Sequence, residues 1–309
     1  MQKYKIILNF ILLLFPLLLL AKPKPLNEEW LQIDKSNFIN LMRTLDSNVS
    51  NIEYYKQNIP SLSILSSRVM GFDIKKIVAH QEGKYISKVF SIYTYKDIIF
   101  NFKITISGVS FEKMNILKEK DKNIKKLLSN SWVETSTQPY FPLDSMILRQ
   151  FEYEVLNENI YSNLKKDVAK HLGNFINIYV EDSIKKEYET LIFPFEDYNF
   201  GTACGYAGTV PKGRRAIKVI KKKNPELLKN ILRAYSPEGR VYGAEALMEL
   251  SNKGMIHLST EDISSIKKVL SLDVSINQCG GCMSSYITAK QIFQSKKDEE
   301  FKYINQFLK

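Results

Sequence analysis

The chain has 309 residues, a formal net charge of +11 and a hydrophobic fraction of 44%, including 17 tyrosines and 17 phenylalanines. A chain this rich in apolar and aromatic residues can bury a substantial core, which excludes an intrinsically disordered protein. Beyond the first 21 residues no stretch is long and apolar enough to cross a bilayer, which excludes a protein with several membrane spans.

The N-terminal segment has the pattern of a secretory signal peptide over residues 1–21. Lys3 and Lys5 precede an almost wholly apolar run at residues 6–21, and these 16 residues fall short of the roughly 20 that span a bilayer. We therefore predict cleavage after Ala21 and export to the periplasm, the cell surface or the medium. The alternative is an uncleaved segment that anchors the chain, which would then be its only contact with a membrane.

The basic composition of the remaining chain has two interpretations. A positively charged surface attracts anionic polymers or lipid headgroups, whereas lysines on a solvated surface need no partner. Because an exported chain seldom meets nucleic acid, we do not expect a nucleic-acid partner. We expect an unknown protein or another envelope component instead, and no pattern in the sequence calls for a cofactor.

Residues 22–199 are predicted to form a first domain of the α+β class, built around an antiparallel sheet. Apolar residues recur at three- and four-residue spacing over residues 27–45, which predicts a helix. β-Branched and aromatic residues then alternate in part, which predicts an antiparallel meander with one buried face. The predicted strands lie at residues 74–80, 85–95 and 98–106.

The rest of this first domain has a weaker pattern. We predict a basic helix at residues 113–128, a proline-containing loop at 132–142 and a helix at 143–172. Two short apolar runs with aromatic and β-branched residues, at 175–180 and 188–195, are predicted as strands that close the domain.

Residues 200–309 are predicted to form a second, mainly helical domain that contains all three cysteines. A glycine-rich loop at residues 201–208 opens this domain. Ser236 and Ser259 stand at the positions of helix N-caps, and Gly254 follows a helix end. The predicted elements are helices at 214–223, 225–235, 237–251 and 283–293, a helix capped by Ser259, and an extended piece at 274–277.

The start of the helical domain carries the densest group of basic residues. Contact with an anionic surface is one interpretation of this group, and a solvated helix face is the other. The candidates for anionic contact are Lys212, Arg214, Arg215, Lys218, Lys221, Lys222 and Lys223.

The three cysteines lie in two short motifs of the second domain. Cys204 belongs to the glycine-rich loop, and Cys279 and Cys282 form Cys-Gly-Gly-Cys. In an oxidising compartment, a disulfide from Cys204 to either of the other two would close a loop of about 75 residues and fasten the domain. One thiol is left over in that scheme.

Three other interpretations of these residues stay open. Cys279 and Cys282 precede a predicted helix, whose N-terminus would favour a thiolate, so they can act as a redox pair. The three cysteines together with His257 have the residue types of a Cys₃His zinc site. Cys204 can also act as a nucleophile with His171 or His257 as the base, with the nearby glycines supplying backbone N–H groups for an oxyanion.

Residues 225–254 resemble a single HEAT-type helical repeat. The second helix of the pair starts at Pro237 and continues with Arg240, small residues and leucines. Small residues let two helices approach closely, and leucines fill the seam between them. The resemblance implies one helical pair, where a stable solenoid stacks about three or more. The small and leucine positions are Gly243, Ala244, Ala246, Leu247 and Leu250.

The chain is also similar to a family of uncharacterised exported bacterial proteins. The shared pattern comprises ACGYAG at residues 203–208, PEGRVYGAEAL at 237–247 and CGGC at 279–282. It covers roughly residues 200–285. The resemblance implies a common fold over this segment and no activity.

From these patterns we expect an exported, non-enzymatic binding or scaffolding protein of the cell envelope. By analogy at the level of the fold, a concave helical surface beside a sheet suits a protein partner. The alternative is a thiol–disulfide oxidoreductase that acts through Cys279 and Cys282.

Overall fold

A computed structural model provides the structure of the chain. It describes residues 27–46, 51–59, 61–84, 86–108, 149–195 and 198–295. The predicted signal peptide, the predicted basic helix at 113–128 and the predicted loop at 132–142 lie outside these residues. Across the described ranges, no helix is both long and apolar enough to span a bilayer. The fold is of the α+β class, as predicted.

The N-terminal part of the described chain consists of an antiparallel sheet with two helices. The five strands pair in sequence order, each with the next. The elements are α1 (Glu28–Asp46), α2 (Ile52–Asn58), β1 (Ser63–Gly71), β2 (Ile74–Glu82), β3 (Ile86–Tyr95), β4 (Ile98–Gly108) and β5 (Arg149–Leu156).

The C-terminal part is mostly helical, with one β-hairpin near its end. The hairpin forms a separate two-stranded sheet. The elements are α3 (Glu158–Leu172), α4 (Asp182–Ile192), α5 (Lys212–Lys223), α6 (Leu227–Ile231), α7 (Pro237–Asn252), α8 (Thr260–Ser271), β6 (Ser275–Gly280), β7 (Met283–Thr288) and α9 (Ala289–Ser295).

The five-stranded sheet is covered on both faces, so the prediction of a single buried face is wrong. Because side chains alternate along a strand, Ile77 and its cross-strand neighbour Ile92 face one side, where they pack against α1 and α2. Ile74 and its neighbour Tyr95 face the other side and join the buried side chains of the C-terminal helices. This second cluster contains residues from both sides of residue 200, and the predicted domain division there stays a prediction.

The strongest sequence patterns gave correct elements. The helix predicted at residues 27–45 is confirmed as α1, and the three predicted strands are confirmed as β2, β3 and β4. The side chain of Ser236 caps α7 by accepting a hydrogen bond from the N–H of Gly239 at 3.2 Å. Ser259 and Asp262 form a reciprocal capping box at the start of α8.

Three predictions in the middle of the chain are wrong. The helix predicted from residue 143 is replaced in its first part by β5, which pairs with β4 and ends where α3 begins. The strand predicted at residues 188–195 is largely the end of α4, whose Ile184 and Leu191 are buried on one face. Residues 175–180 form no strand, because the backbone N–H and C=O of Ile176 pair with the side-chain amide of Asn230 at 2.7 and 2.9 Å.

Two predictions in the helical part also need correction. A helix is predicted at residues 283–293, but residues 283–288 form β7. The observed helix α9 begins at Ala289, six residues after the predicted start. The partner helix predicted at 225–235 is shortened to α6, because the chain leaves it through tighter turns in which Arg233 and Ala234 donate to carbonyls three residues earlier. The extended piece predicted at 274–277 is confirmed as the start of β6.

Helix α7 is buried on all sides over its first three turns. Every residue from Pro237 to Met248 is buried. A Cβ atom placed on Gly243 would lie 2.7 Å from the backbone nitrogen of Leu232 and 2.9 Å from the carbonyl carbon of Ile231. The absence of a side chain at Gly243 therefore lets α7 contact the backbone of the preceding segment directly. The resemblance of this pair to a HEAT repeat stays a prediction.

We expect Gly243→Ala to lower the free energy of unfolding by about 1–3 kcal/mol, because the new methyl group would overlap backbone atoms that cannot move aside. Chemical denaturation measures the change. Gly280→Ala is the matched control, since a Cβ at Gly280 meets nothing within 4 Å and should change stability little. Equal losses in the two variants would contradict the close packing of α7.

The sheet also buries one lysine. Lys88 of β3 is fully buried, and its Nζ has no hydrogen-bond partner among the described residues. Burial lowers the pKa of Lys88 to about 8, while the charge of nearby Asp34 opposes that shift. The folded state therefore holds the charged form of this side chain at a net cost.

The buried lysine gives a prediction about pH. Between pH 8 and 10.5 the unfolded chain keeps the Lys88 proton while the folded chain loses it, so stability should rise with pH in that window. Lys88→Met should remove this rise and increase the free energy of unfolding at pH 7 by about 1–3 kcal/mol. Urea unfolding at several pH values tests both effects, with Lys218→Met on the exposed surface as control. An unchanged pH slope in Lys88→Met would contradict the prediction.

Candidate functional site

The glycine-rich loop and the Cys-Gly-Gly-Cys turn lie side by side. Phe200 pairs with Gln278 of β6, and Cys204 pairs with Gly281, both in parallel fashion. The N–H of Phe200 donates to the carbonyl of Asn277 at 2.7 Å, and Cys279 donates back to Phe200 at 2.9 Å. The loop segment, β6 and β7 thus form a continuous strip.

A disulfide fastens the strip. Cys204 is bonded to Cys279, with a Cα–Cα distance of 5.5 Å and a sequence separation of 75. Cys279 is only 4% exposed, whereas Cys282 is a free, exposed thiol. The structural disulfide predicted from the sequence is present, and the thiol left over in that scheme is Cys282.

The structure does not assemble the other three predicted sites. Cys279 is bonded to Cys204, so no Cys279–Cys282 redox pair is formed, and the sulfur of Cys204 is not a free nucleophile. Within the described ranges, no group of three or more His, Cys, Asp or Glu side chains is placed to hold a metal ion, so the cysteines and His257 do not form a ligand set. His257 instead lines a surface depression of about 630 Å³.

The other proposed base is also occupied elsewhere. Nδ1 of His171 lies 2.9 Å from the backbone carbonyl of Asp167, one turn earlier in α3. The imidazole ring contacts Phe72 at a centroid distance of 5.4 Å. His171 therefore belongs to the junction of α3 with the sheet.

Helices α5 and α7 hold the base of the loop. The hydroxyl of Tyr242 accepts a hydrogen bond from the N–H of Gly201 at 3.0 Å and donates to the carbonyl of Asn199. Nε of Arg214 donates to the carbonyl of Gly201 at 3.0 Å, and its guanidinium also forms an ion pair with Glu245 at 2.6 Å. A Cβ on Gly201 would lie 3.0 Å from the sulfur of Cys279, so this position needs glycine for space.

The base of the β6–β7 hairpin is fixed by a buried ion pair. The carboxylate of Glu238 at the start of α7 binds the guanidinium of Arg68 from β1 and accepts a hydrogen bond of 2.8 Å from the N–H of Asn277. Arg68 also donates to the carbonyl of Ser275 at 3.0 Å. The hairpin is therefore attached to both the sheet and the central helix.

A second arginine, which is fully buried, completes this attachment. Arg240 donates to the carbonyl of Met70 at 2.7 Å, and its guanidinium lies 4.8 Å from the centre of the Phe72 ring. Burial lowers the pKa of Arg240 to about 10, and the charge of Glu238 opposes that shift. Sequence reasoning missed Arg68 and Glu238 as a pair. The signal in the sequence was the presence of charged residues, among them Glu238, within a helix whose other residues are mostly apolar or small. Such residues indicate buried charges that need partners.

The fastened strip exposes large apolar side chains. Tyr206 at the tip of the loop is 98% exposed, and Met283 and Tyr286 of β7 are 78% and 61% exposed. We call these three residues the strip surface. Among the described residues, β7 pairs with β6 alone, so its outer edge carries unpaired backbone groups. The strip surface combines exposed side chains with a backbone that is fixed by the Cys204–Cys279 disulfide and by the hydrogen bond from Asn277 to Glu238.

The basic residues of α5 divide into two sets. Arg214 and Lys221 are partly buried and form ion pairs with Glu245 and Glu249, so they act in the fold. Lys212 is half-buried. The exposed members are Arg215, Lys218, Lys222 and Lys223. Three of these follow one another at three- and four-residue spacing on one helix face, and their contact with an anionic surface stays a prediction.

Comparisons with protein-family models, with curated proteins and with solved structures find no match for this chain.

Proposed function

We propose that the chain is an exported, non-enzymatic binding protein of the cell envelope that holds an extended segment of a partner protein on its strip surface. The observation that carries this proposal is the exposure of Tyr206, Met283 and Tyr286 on two segments that a disulfide joins. Disulfide formation in an oxidising compartment agrees with export.

The chemistry of the strip surface favours a protein partner. Tyrosine and methionine are enriched at protein interfaces, where they supply large apolar area and, for tyrosine, a hydrogen-bonding group. The unpaired outer edge of β7 offers backbone donors and acceptors to an extended segment, which can add to the hairpin as a third strand. A surface fixed before binding loses little entropy when the partner arrives.

The positions of the cysteines favour binding over oxidoreductase chemistry. A dithiol enzyme of the Cys-x-x-Cys type needs both thiols of the motif as one exchanging pair. Here Cys279 is buried in a bond to the remote Cys204, and Cys282 has no partner sulfur. The disulfide therefore serves the geometry of the strip in this proposal.

Site-specific photo-crosslinking in intact cells that export the chain tests the proposal. A photoreactive phenylalanine analogue at Tyr206 and at Tyr286 should give an adduct of the same mass. Met283→Asp in the same surface should abolish both adducts, whereas Lys218→Asp, on the exposed face of α5, should leave them unchanged. The same adduct from a probe at Lys186, on exposed α4, or adducts insensitive to Met283→Asp, would contradict a partner at the strip surface.

An insulin-reduction assay examines the alternative. The purified chain with dithiothreitol should accelerate insulin precipitation no more than the Cys282→Ser variant does. Turnover that requires Cys282 would instead establish the oxidoreductase function and overturn the non-enzymatic proposal.

A further inference from the structure

The free thiol lies next to the disulfide in the chain and in the strip. Gly280 pairs with Met283, so Gly281 and Cys282 form the two-residue turn of the hairpin. Gly281 has a positive φ of 56°, as the first position of a type II′ turn requires. Its carbonyl accepts a hydrogen bond of 2.7 Å from Gly205, directly after Cys204. Cys282 therefore directly follows Gly281, which pairs with Cys204. It also stands three residues after Cys279 in the sequence.

The tip of the strip has open space beside its glycines, and Cys282 is exposed there. A Cβ at Gly280, Gly281, Gly205 or Gly208 would meet nothing within 4 Å. The turn and the loop tip are thus hydrogen-bonded to each other but have open space beside their glycines. Rotation of the turn toward the disulfide would have to break the backbone hydrogen bonds of Gly281 with Ala203 and Gly205.

We propose that Cys282 is an attacking thiol that exchanges with the Cys204–Cys279 disulfide. Its thiolate attacks the sulfur of Cys279, one S–S bond forms between Cys279 and Cys282, and the bond to Cys204 breaks. The electron pair of that bond leaves on the sulfur of Cys204, which takes up the proton that Cys282 lost to solvent. The step is an isomerisation, so it needs neither an oxidant nor a reductant.

The burial of the two bonded cysteines selects this direction of attack. A departing thiolate is stabilised where solvent reaches it. Cys204 is half-buried in an exposed loop, whereas Cys279 is 4% exposed in the core. Release of Cys204 is therefore favoured over release of Cys279.

The exchange would release the loop from the hairpin. The Cys279–Cys282 bridge closes only a short local ring, so the exchanged chain loses the long cross-link that fastens Tyr206 beside β7. The two disulfide forms thus present two states of the strip surface, and the folded strip favours the form with Cys204 and Cys279 joined. This inference concerns the chemistry of the chain itself and does not depend on whether the strip surface binds a partner.

Thiol trapping tests the exchange. The purified chain is held at several pH values, quenched in acid, alkylated with N-ethylmaleimide and mapped by mass spectrometry. Alkylation should move in part from Cys282 to Cys204, with an initial rate that rises about tenfold per pH unit between pH 5 and 7, as thiolate attack requires. Cys282→Ser keeps the native disulfide and should show no alkylation of Cys204 at any pH.

A second variant tests whether the two sulfurs can meet. Cys204→Ser leaves Cys279 and Cys282, which should form an intramolecular bridge in oxidising buffer. The proposal is overturned if this variant remains a dithiol and the natural chain is alkylated at Cys282 alone at every pH. A Cys204–Cys282 bridge in the natural chain would overturn the assigned direction of attack. Either failure leaves the crosslinking test of the binding function unaffected.

Discussion

Replacing Glu238 by glutamine is expected to lower the free energy of unfolding by about 3–5 kcal/mol. The buried carboxylate forms an ion pair with Arg68 and accepts a hydrogen bond from the backbone of Asn277. The charge of Glu238 also stabilises that of Arg240. The amide preserves the size of the side chain but leaves the buried guanidinium of Arg240 and the partly buried guanidinium of Arg68 without their counter-charge.

Urea unfolding followed by circular dichroism measures this loss. Glu53→Gln is the matched control, because Glu53 forms an ion pair with Lys56 on an exposed helix surface. Such a pair contributes only about 0.3–0.5 kcal/mol. A loss of less than about 1 kcal/mol in Glu238→Gln would show that the hairpin does not depend on this ion pair.

Removing the disulfide should have an effect of similar size. The double variant Cys204→Ser/Cys279→Ser is expected to lose roughly 4 kcal/mol of unfolding free energy. The cross-link joins residues 75 positions apart, so it removes a large amount of chain entropy from the unfolded state. The loop tip would also lose its attachment to β6, and Tyr206 would no longer be held beside β7.

Denaturation with and without reductant separates the contribution of the disulfide to stability from that of the free thiol of Cys282. Cys282→Ser should differ from the natural chain by no more than about 0.5 kcal/mol, because the exposed thiol makes no bond. Reductant should lower the stability of the natural chain to that of the double variant. Full stability of the double variant, or no effect of reductant, would contradict a structural role for the disulfide.

The sequence predicts the parts of the fold that depend on local patterns. The strands β2, β3 and β4 are readable because their β-branched and aromatic residues pack into buried clusters on the two faces of the sheet. The caps at Ser236 and Ser259 are readable because the hydrogen bonds involved join residues only three apart. All the residues that determine such a feature lie within a few positions of one another in the sequence.

The errors fall where a distant partner decides the structure. β5 forms because β4 is available to pair with it, across residues that are far apart in sequence. The segment around Ile176 is not a strand, because its backbone forms hydrogen bonds with the side-chain amide of Asn230 and not with a neighbouring strand. In β7 the two-residue turn at Gly281 sets the pairing with β6, and helical periodicity alone could not reveal that pairing.

The candidate site shows the same division. The sequence identified the two cysteine motifs and a disulfide from Cys204 to either Cys279 or Cys282, but it left four interpretations of the cysteines open. It did not identify Glu238 and Arg68, because a buried ion pair between α7 and β1 joins residues 170 positions apart. It also could not show that Arg214 and Lys221 serve the fold, whereas Arg215 and Lys218 face solvent.

Peptide mapping of the intact protein tests the central claim most directly. The freshly isolated chain is treated with N-ethylmaleimide at pH 5, digested without reductant and analysed by mass spectrometry. The predicted result is a linked peptide pair joining Cys204 to Cys279, with the alkyl group on Cys282. A Cys279–Cys282 link with an alkylated Cys204 as the main species would contradict the fastened strip on which the proposed function rests.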